Sequence, residues 1–168
     1  MGAQIERLKR DSRELQNYIK RKEREGNMGL VFKLRKKQAY LDDKIVEFER
    51  EFASYVKSKY SIMVNSGSSA NLLMIAALFF KKDNPLKPGD EVIVPAVSWS
   101  TTYYPLSQYG LKLKFVDIDK ETLNYDLKKL SEAISDNTRL LMVVNILGNP
   151  NNFSTINEIL KDSKIIIV

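Results

Sequence analysis

Val64-Asn65-Ser66-Gly67-Ser68-Ser69-Ala70-Asn71 sits between two apolar runs. Ser61-Ile62-Met63-Val64 leads in, and a helical pattern over residues 72–80 leads out. A short strand, a turn of small residues and a helix form the arrangement that holds an anion at a helix N-terminus. Gly67 lets the backbone approach a ligand closely. Ser68 and Ser69 add two hydroxyls and two N–H groups where the helix dipole favours negative charge. Two readings stand side by side: a phosphate cradle, or a Ser-rich N-cap that binds nothing.

Downstream of this stretch the pattern alternates. The helix spans 69–81 and is apolar nearly all round, so it is buried. Residues 84–90 form a turn, and Glu91-Val92-Ile93-Val94-Pro95 a β-branched strand. A polar-aromatic helix follows over 99–109, closed by Gly110, then a strand over 112–119. The helix at 126–135 turns Leu127, Leu130 and Ile134 inward. Strands at 139–147 and 164–168 flank a helix at 154–161 capped by Ser154. With the strand at 60–64, this predicts βαβ units: an α/β, three-layer architecture with a mostly parallel sheet. Ligands of such sheets sit at the carboxyl ends of the strands, where the loops 65–71, 95–102 and 148–153 converge.

Upstream, Leu41, Ile45, Phe48, Phe52 and Tyr55 step by three and four, which predicts a helix over 41–58 with one wide apolar face. Residues 4–25 read as a charged helix with a thin stripe of Ile5, Leu8, Leu15, Tyr18 and Ile19, interrupted by Ser12. So thin a stripe calls for a partner, such as a symmetry mate. Gly26-Asn27-Met28-Gly29 breaks the helix. The basic run Lys33-Leu34-Arg35-Lys36-Lys37 reads either as a nucleic-acid patch or as a solvated helix face or arm. The interleaved acids Glu23, Glu25, Asp42 and Asp43 favour the second. The expected division is a charged helical extension over 1–40 and an α/β domain over 41–168.

Composition narrows the chemistry. Neither cysteine nor histidine occurs among the 168 residues, which excludes disulfides, Cys/His zinc sites and His-based triads from the chain. The absence of cysteine fits the cytoplasm. Residues 1–50 carry 14 Lys and Arg against 9 Asp and Glu; the remainder carries 13 against 12, so the net charge of +6 belongs to the first third. No apolar run approaches the ~18 residues that a membrane span needs, and no export signal opens the chain.

Pro95-Ala96-Val97-Ser98-Trp99-Ser100-Thr101-Thr102 holds the only tryptophan. Trp99 reads as a flat surface on which a heteroaromatic ring stacks, or as a core residue at the base of the following helix. A phosphate cradle and a stacking Trp on ligand-edge loops together suggest a phosphorylated aromatic cofactor.

Several stretches now agree: Asn65 to Leu72, Leu86-Lys87-Pro88-Gly89-Asp90-Glu91-Val92-Ile93-Val94-Pro95, Ser98-Trp99-Ser100-Thr101-Thr102, Phe115-Val116-Asp117-Ile118-Asp119 and Leu147-Gly148-Asn149-Pro150. In order and spacing they resemble the N-terminal half of the large domain in the pyridoxal-phosphate-dependent DegT/DnrJ/EryC1/StrS nucleotide-sugar aminotransferases. The likeness covers about residues 41–168 and is nearest to the sugar 3-dehydratase branch, typified by action on GDP-linked 4-keto-6-deoxymannose.

The resemblance implies the aspartate-aminotransferase fold (fold type I), pyridoxal or pyridoxamine phosphate as cofactor, a nucleotide-sugar substrate in deoxysugar and lipopolysaccharide synthesis, and a homodimer. It implies that Gly67, Ser68 and Ser69 hold the cofactor phosphate, that Trp99 stacks on the pyridine ring, and that Asn145 lies on a strand passing near cofactor and substrate. Asp117 and Asp119 match family positions and read as structural. The acid that pairs with the pyridine nitrogen, the Schiff-base lysine (histidine in the dehydratase branch) and the small domain would all lie past Val168. The expectation is therefore a truncated large domain that is inert by itself. A sugar aminotransferase and a helix-mediated binding module are the alternatives.

Overall fold

A computed structural model describes residues 2–161 and 163–168, excepting the side chains of 2–9 and 12. The chain forms two compact units, Met1–Ser69 and Ala70–Val168.

The first unit is a helical hairpin. Helix α1 (Gly2–Arg24) packs against α2 (Met28–Tyr55). Ile5, Leu8 and Ser12 of the expected stripe lie outside the described side chains; of the others, Ile19 is buried and Tyr18 is exposed. The break is shorter than expected. Gly26 takes φ +73° and lets two amides close the end of α1: Gly26 N–H donates to Glu23 O and Asn27 N–H to Lys22 O. Asn27 then caps α2, its Oδ1 accepting from Leu30 N at 3.2 Å.

Helix α2 therefore begins at Met28 rather than at 41, and the basic run is one solvated face of it, with Lys33, Arg35, Lys36 and Lys37 exposed. Arg35 pairs with Glu23 across the hairpin. Of the predicted apolar face, Leu41 is buried and Ile45 and Phe48 half-buried, whereas Phe52 and Tyr55 are exposed. Lys57 at φ +56° ends the helix, with its own N–H on Ser54 O and Ser58 N–H on Ala53 O.

The strand expected at 60–64 does not form. A strand exists only with a neighbour to complete its ladder, and this segment has none among the described residues. Tyr60 and Ile62 stay exposed, and the Met63 N–H donates instead to Glu49 Oε1 at 2.7 Å.

Helix α3 (Gly67–Phe80) is followed by β1 (Glu91–Pro95), α4 (Ser100–Gln108), β2 (Lys112–Val116), α5 (Leu127–Ala133), β3 (Thr138–Leu141), a 3-10 turn (Ile146–Gly148), α6 (Phe153–Ile159) and β4 (Ile166–Ile167). All strand pairs are parallel, in the order β2-β1-β3-β4. The second unit has three layers, and the two-residue period of the strands assigns their faces. Val92, Val94 and Leu140 pack with Ile75 of α3 and Leu106 of α4. Ile93 and Leu141 face the other way, onto Leu130 of α5 and Ile156 of α6.

Most strands stop earlier than their apolar runs. β3 ends at Leu141 rather than 147, although two ladder bonds continue it, Met142 N to Ile93 O and Val143 N to Val168 O. The α6 cap is Asn152, whose Oδ1 accepts from Thr155 N at 3.1 Å, and not Ser154, which lies inside the helix.

Candidate functional site

Strand order places the ligand edge. From β1 the chain crosses by α4 to β2 on one side, and β3 lies on the other side. The crevice at the carboxyl ends of β1 and β3 is thus a switch point, the usual ligand position in open parallel sheets. Trp99 follows β1, and Asn145 follows β3.

Trp99 holds the N-cap position of α4 in an extended conformation and makes no side-chain cap bond. It is 77% exposed, so the alternative of a core tryptophan fails. The turn around it is built by its neighbours. Ser98 Oγ and Thr102 Oγ1 share a hydrogen bond of 2.9 Å, and Tyr103 Oη donates to Pro95 O at 2.8 Å. Burial pushes the Tyr103 phenol upward, keeping it a neutral donor.

Gly67, Ser68 and Ser69 open α3 and belong to the first unit. Ser66 is the capping residue: its Oγ accepts from Ser69 N and donates to Ser69 Oγ, both at 3.1 Å. Ser69 is thereby engaged, which leaves Gly67 and Ser68, both exposed, to offer the N–H groups that have no intrahelical acceptor. A Cβ built on Gly67 meets nothing within 4 Å, so the space beside that backbone is open to a ligand. The set suits an oxyanion such as phosphate: backbone donors and a hydroxyl at the N-terminus of a 14-residue helix, with no acid in its first turn.

Asn145 does not lie on a strand. It precedes the 3-10 turn, in which Leu147 adopts φ +53° while 92% exposed. Its carboxamide is tied to Asn151: Asn145 Oδ1 accepts from Asn151 N and from Asn151 Nδ2, both at 3.0 Å. The loop after β2 braces the same segment. Asn124 Nδ2 donates to Pro150 O at 2.9 Å, Asn149 Nδ2 donates to Thr122 O, and Tyr125 Oη donates to Met142 O at 2.7 Å. Tyr125 is buried, which pushes its phenol far above the usual range.

Asp119 accepts from the N–H groups of Thr122 and Glu121 and from the Thr122 hydroxyl, which hold its carboxyl below the usual range. Asp117 is held down chiefly by Lys129, at 2.9 Å. Both carboxylates serve the loop in these contacts, and Asp119 also lines a cavity beside Asn124, Pro150 and Asn152.

The sequence profile of the DegT/DnrJ/EryC1/StrS aminotransferase family matches residues 22–168. The chain belongs to this family. It is 57% identical over 138 residues to GDP-4-keto-6-deoxy-D-mannose 3-dehydratase of Escherichia coli O55:H7, covering 78% of this chain and 36% of that protein. The Yersinia pseudotuberculosis enzyme of the same name is 59% identical over 128 residues, covering 76% and 33%. Among solved structures, the E. coli dehydratase with bound hydrated PLP superposes with a TM-score of 0.72 at 58% identity, over 77% of this chain and 35% of that one. The chain spans about a third of the length of the curated relatives it matches. The family profile begins at residue 22, inside α1.

Sequence reasoning missed three residues of this region. Ser66 carries a legible signal, the cap-to-third-residue spacing to Ser69. Asn71 and Asn151 carry none, because their partners, Thr101 and Asn145, follow from tertiary placement and from a loop fold.

Proposed function

We propose that the chain is part of a pyridoxamine-phosphate-dependent sugar 3-dehydratase acting on GDP-4-keto-6-deoxymannose, within deoxysugar and lipopolysaccharide synthesis. The observation that carries the reading is the identity of 57–59% to two such dehydratases, against 32% to the GDP-perosamine synthase of Caulobacter vibrioides. When bound, the cofactor supplies an electron sink for charge that develops on the sugar.

The chain's own residues would hold and orient the cofactor. The N–H groups of Gly67 and Ser68 and the Ser68 hydroxyl take the phosphate oxygens. Ser69, fixed by Ser66, keeps the first turn in shape. Trp99, exposed and held at the start of α4, presents its indole face to the pyridine ring. Asn145 offers a hydrogen bond at the end of β3. A cytoplasmic homodimer completes the reading; the exposed apolar side chains of Met28, Phe32 and Val46, on one side of α2, are consistent with a covered helix face.

The test is incubation of the protein containing this chain with GDP-4-keto-6-deoxymannose, cofactor and glutamate. Loss of the 3-hydroxyl supports the dehydratase reading. Transfer of nitrogen to the sugar supports the second reading, a sugar aminotransferase, which the match to GDP-perosamine synthase favours. Sedimentation at two concentrations reads the dimer.

A further inference from the structure

We propose that Asn151 is a positioning residue that fixes the Asn145 carboxamide with its oxygen inward and its amino group outward, making Asn145 a hydrogen-bond donor toward an oxygen of the bound ligand. The inference rests on the cofactor reading above and adds a second residue to it.

The orientation follows from donors and acceptors that cannot be exchanged. The backbone N–H of Asn151 is only a donor, so the Asn145 atom 3.0 Å from it must be the oxygen. The Val144 carbonyl is only an acceptor, so the Asn151 atom 2.9 Å from it must be the nitrogen. That same Nδ2 lies 3.0 Å from Asn145 Oδ1 and donates its second hydrogen there. Asn145 Oδ1 thus accepts twice, from a backbone and a side-chain donor on one residue. Turning the Asn145 amide over would set N–H against N–H at both contacts.

Asn151 is itself 6% exposed and enclosed by the braced loop, so its own amide has no freedom to follow such a turn. Asn145, by contrast, is exposed, and its Nδ2 has no acceptor among the described residues. The two N–H bonds of that nitrogen therefore face outward at the carboxyl end of β3, the edge where parallel sheets receive ligands. A site built this way selects an oxygen acceptor, either a ring or phosphate oxygen of the cofactor or a carbonyl or hydroxyl oxygen of the keto-sugar, and rejects a donor in the same place.

The experiment has two arms. In the first, NMR of the labelled chain without ligand reads the orientation through contacts of the Asn145 Nδ2 protons. They should show no close approach to the Asn151 N–H, and in Asn151→Asp, whose carboxylate repels Asn145 Oδ1 while the residue 151 N–H still holds it, their contacts should no longer report one fixed orientation. Protons of Nδ2 beside the Asn151 N–H in the unmodified chain would overturn the proposal.

In the second arm, pyridoxamine phosphate and GDP-4-keto-6-deoxymannose are titrated separately, and the ligand that shifts the Asn145 Nδ2 protons names the source of the oxygen. Asn151→Asp should weaken that ligand by about tenfold, the worth of one well-placed hydrogen bond. Asn145→Asp, which keeps both bonds from Asn151 but turns an oxygen outward, should weaken it at least as much, while circular dichroism stays unchanged in both. Equal affinity in the variants and the unmodified chain overturns the proposal. Failure of the unmodified chain to bind pyridoxamine phosphate counts against the cofactor reading, and the first arm still decides the orientation.

Discussion

Asn71 Nδ2 donates to the Thr101 carbonyl over 3.1 Å, and Pro105 is the reason that carbonyl is free. In a regular helix Thr101 O would accept from the amide of residue 105, but proline has none. The vacancy lies in the first turn of α4, and a side chain from the second turn of α3 fills it. A helix defect is thereby converted into a tie between two helix starts. Asn71→Ala should cost about 1 kcal/mol, lowering Tm by about 2–4 °C for a chain of this size. In a Pro105→Ala background, where the residue 105 amide can bond Thr101 O, the same substitution should cost less. A double-mutant cycle by thermal melting reads the difference.

Gly67 separates a binding turn from an ordinary cap. A Cβ there meets nothing, and alanine suits a helix better than glycine by about 1 kcal/mol. Gly67→Ala should therefore leave stability unchanged or raised, while weakening pyridoxamine phosphate several-fold. Ser66→Ala should do the reverse in stability, costing about 1 kcal/mol through loss of the cap bond to Ser69 N. Melting curves and ligand titration on both variants check the pair.

Tyr125 pins the loop after β2 to the end of β3 through Met142 O. Tyr125→Phe keeps the ring and removes the donor, so it should cost about 1–2 kcal/mol. Chemical denaturation should show a lower midpoint with an unchanged slope, since the fold and its buried area are retained.

Glu91 sets a pH dependence at the opposite end of β1. Burial raises its carboxyl, but hydrogen bonds from Thr138 at 2.6 Å and Ser135 at 3.0 Å, with Lys114 beyond, outweigh this and hold it below the 4.5 of a free glutamate. A carboxyl lowered in the folded state stabilises the fold fully above its unfolded value and loses that contribution as pH falls through the folded one. Stability should thus be flat in this term from pH 7 to about 5.5 and fall below about 4.5. In Glu91→Gln the fall should be smaller, as measured by denaturation at stepped pH.

The sequence discloses much of the sheet and less of its edges. Val92, Ile93 and Val94 form a compact β-branched run, and β1 falls where the run does. The run over 139–147 looks like one strand because its residues are apolar throughout. Its end is set instead by Asn151, which takes Val144 O and Asn145 Oδ1 and bends the chain. The segment 60–64 carries strand-forming residues but gains no strand partner among the described residues, and pairing rather than propensity decides a strand. Helix α2 runs through Lys33 to Lys37 because exposed lysine and arginine are good helix formers, which an apolar-period reading overlooks. Trp99 was open to two readings by sequence, since its exposure depends on where α4 begins.

The fluorescence of Trp99 tests the cofactor reading most directly, because it is the single tryptophan of the chain. Pyridoxamine phosphate is the ligand of choice, since its amine forms no imine with surface lysines. Titrating it into the chain should quench Trp99 saturably, with weaker binding in Gly67→Ala. A quench that grows linearly without saturation, or that is the same in Gly67→Ala, would contradict the assignment of the phosphate to the α3 turn and of the ring to Trp99.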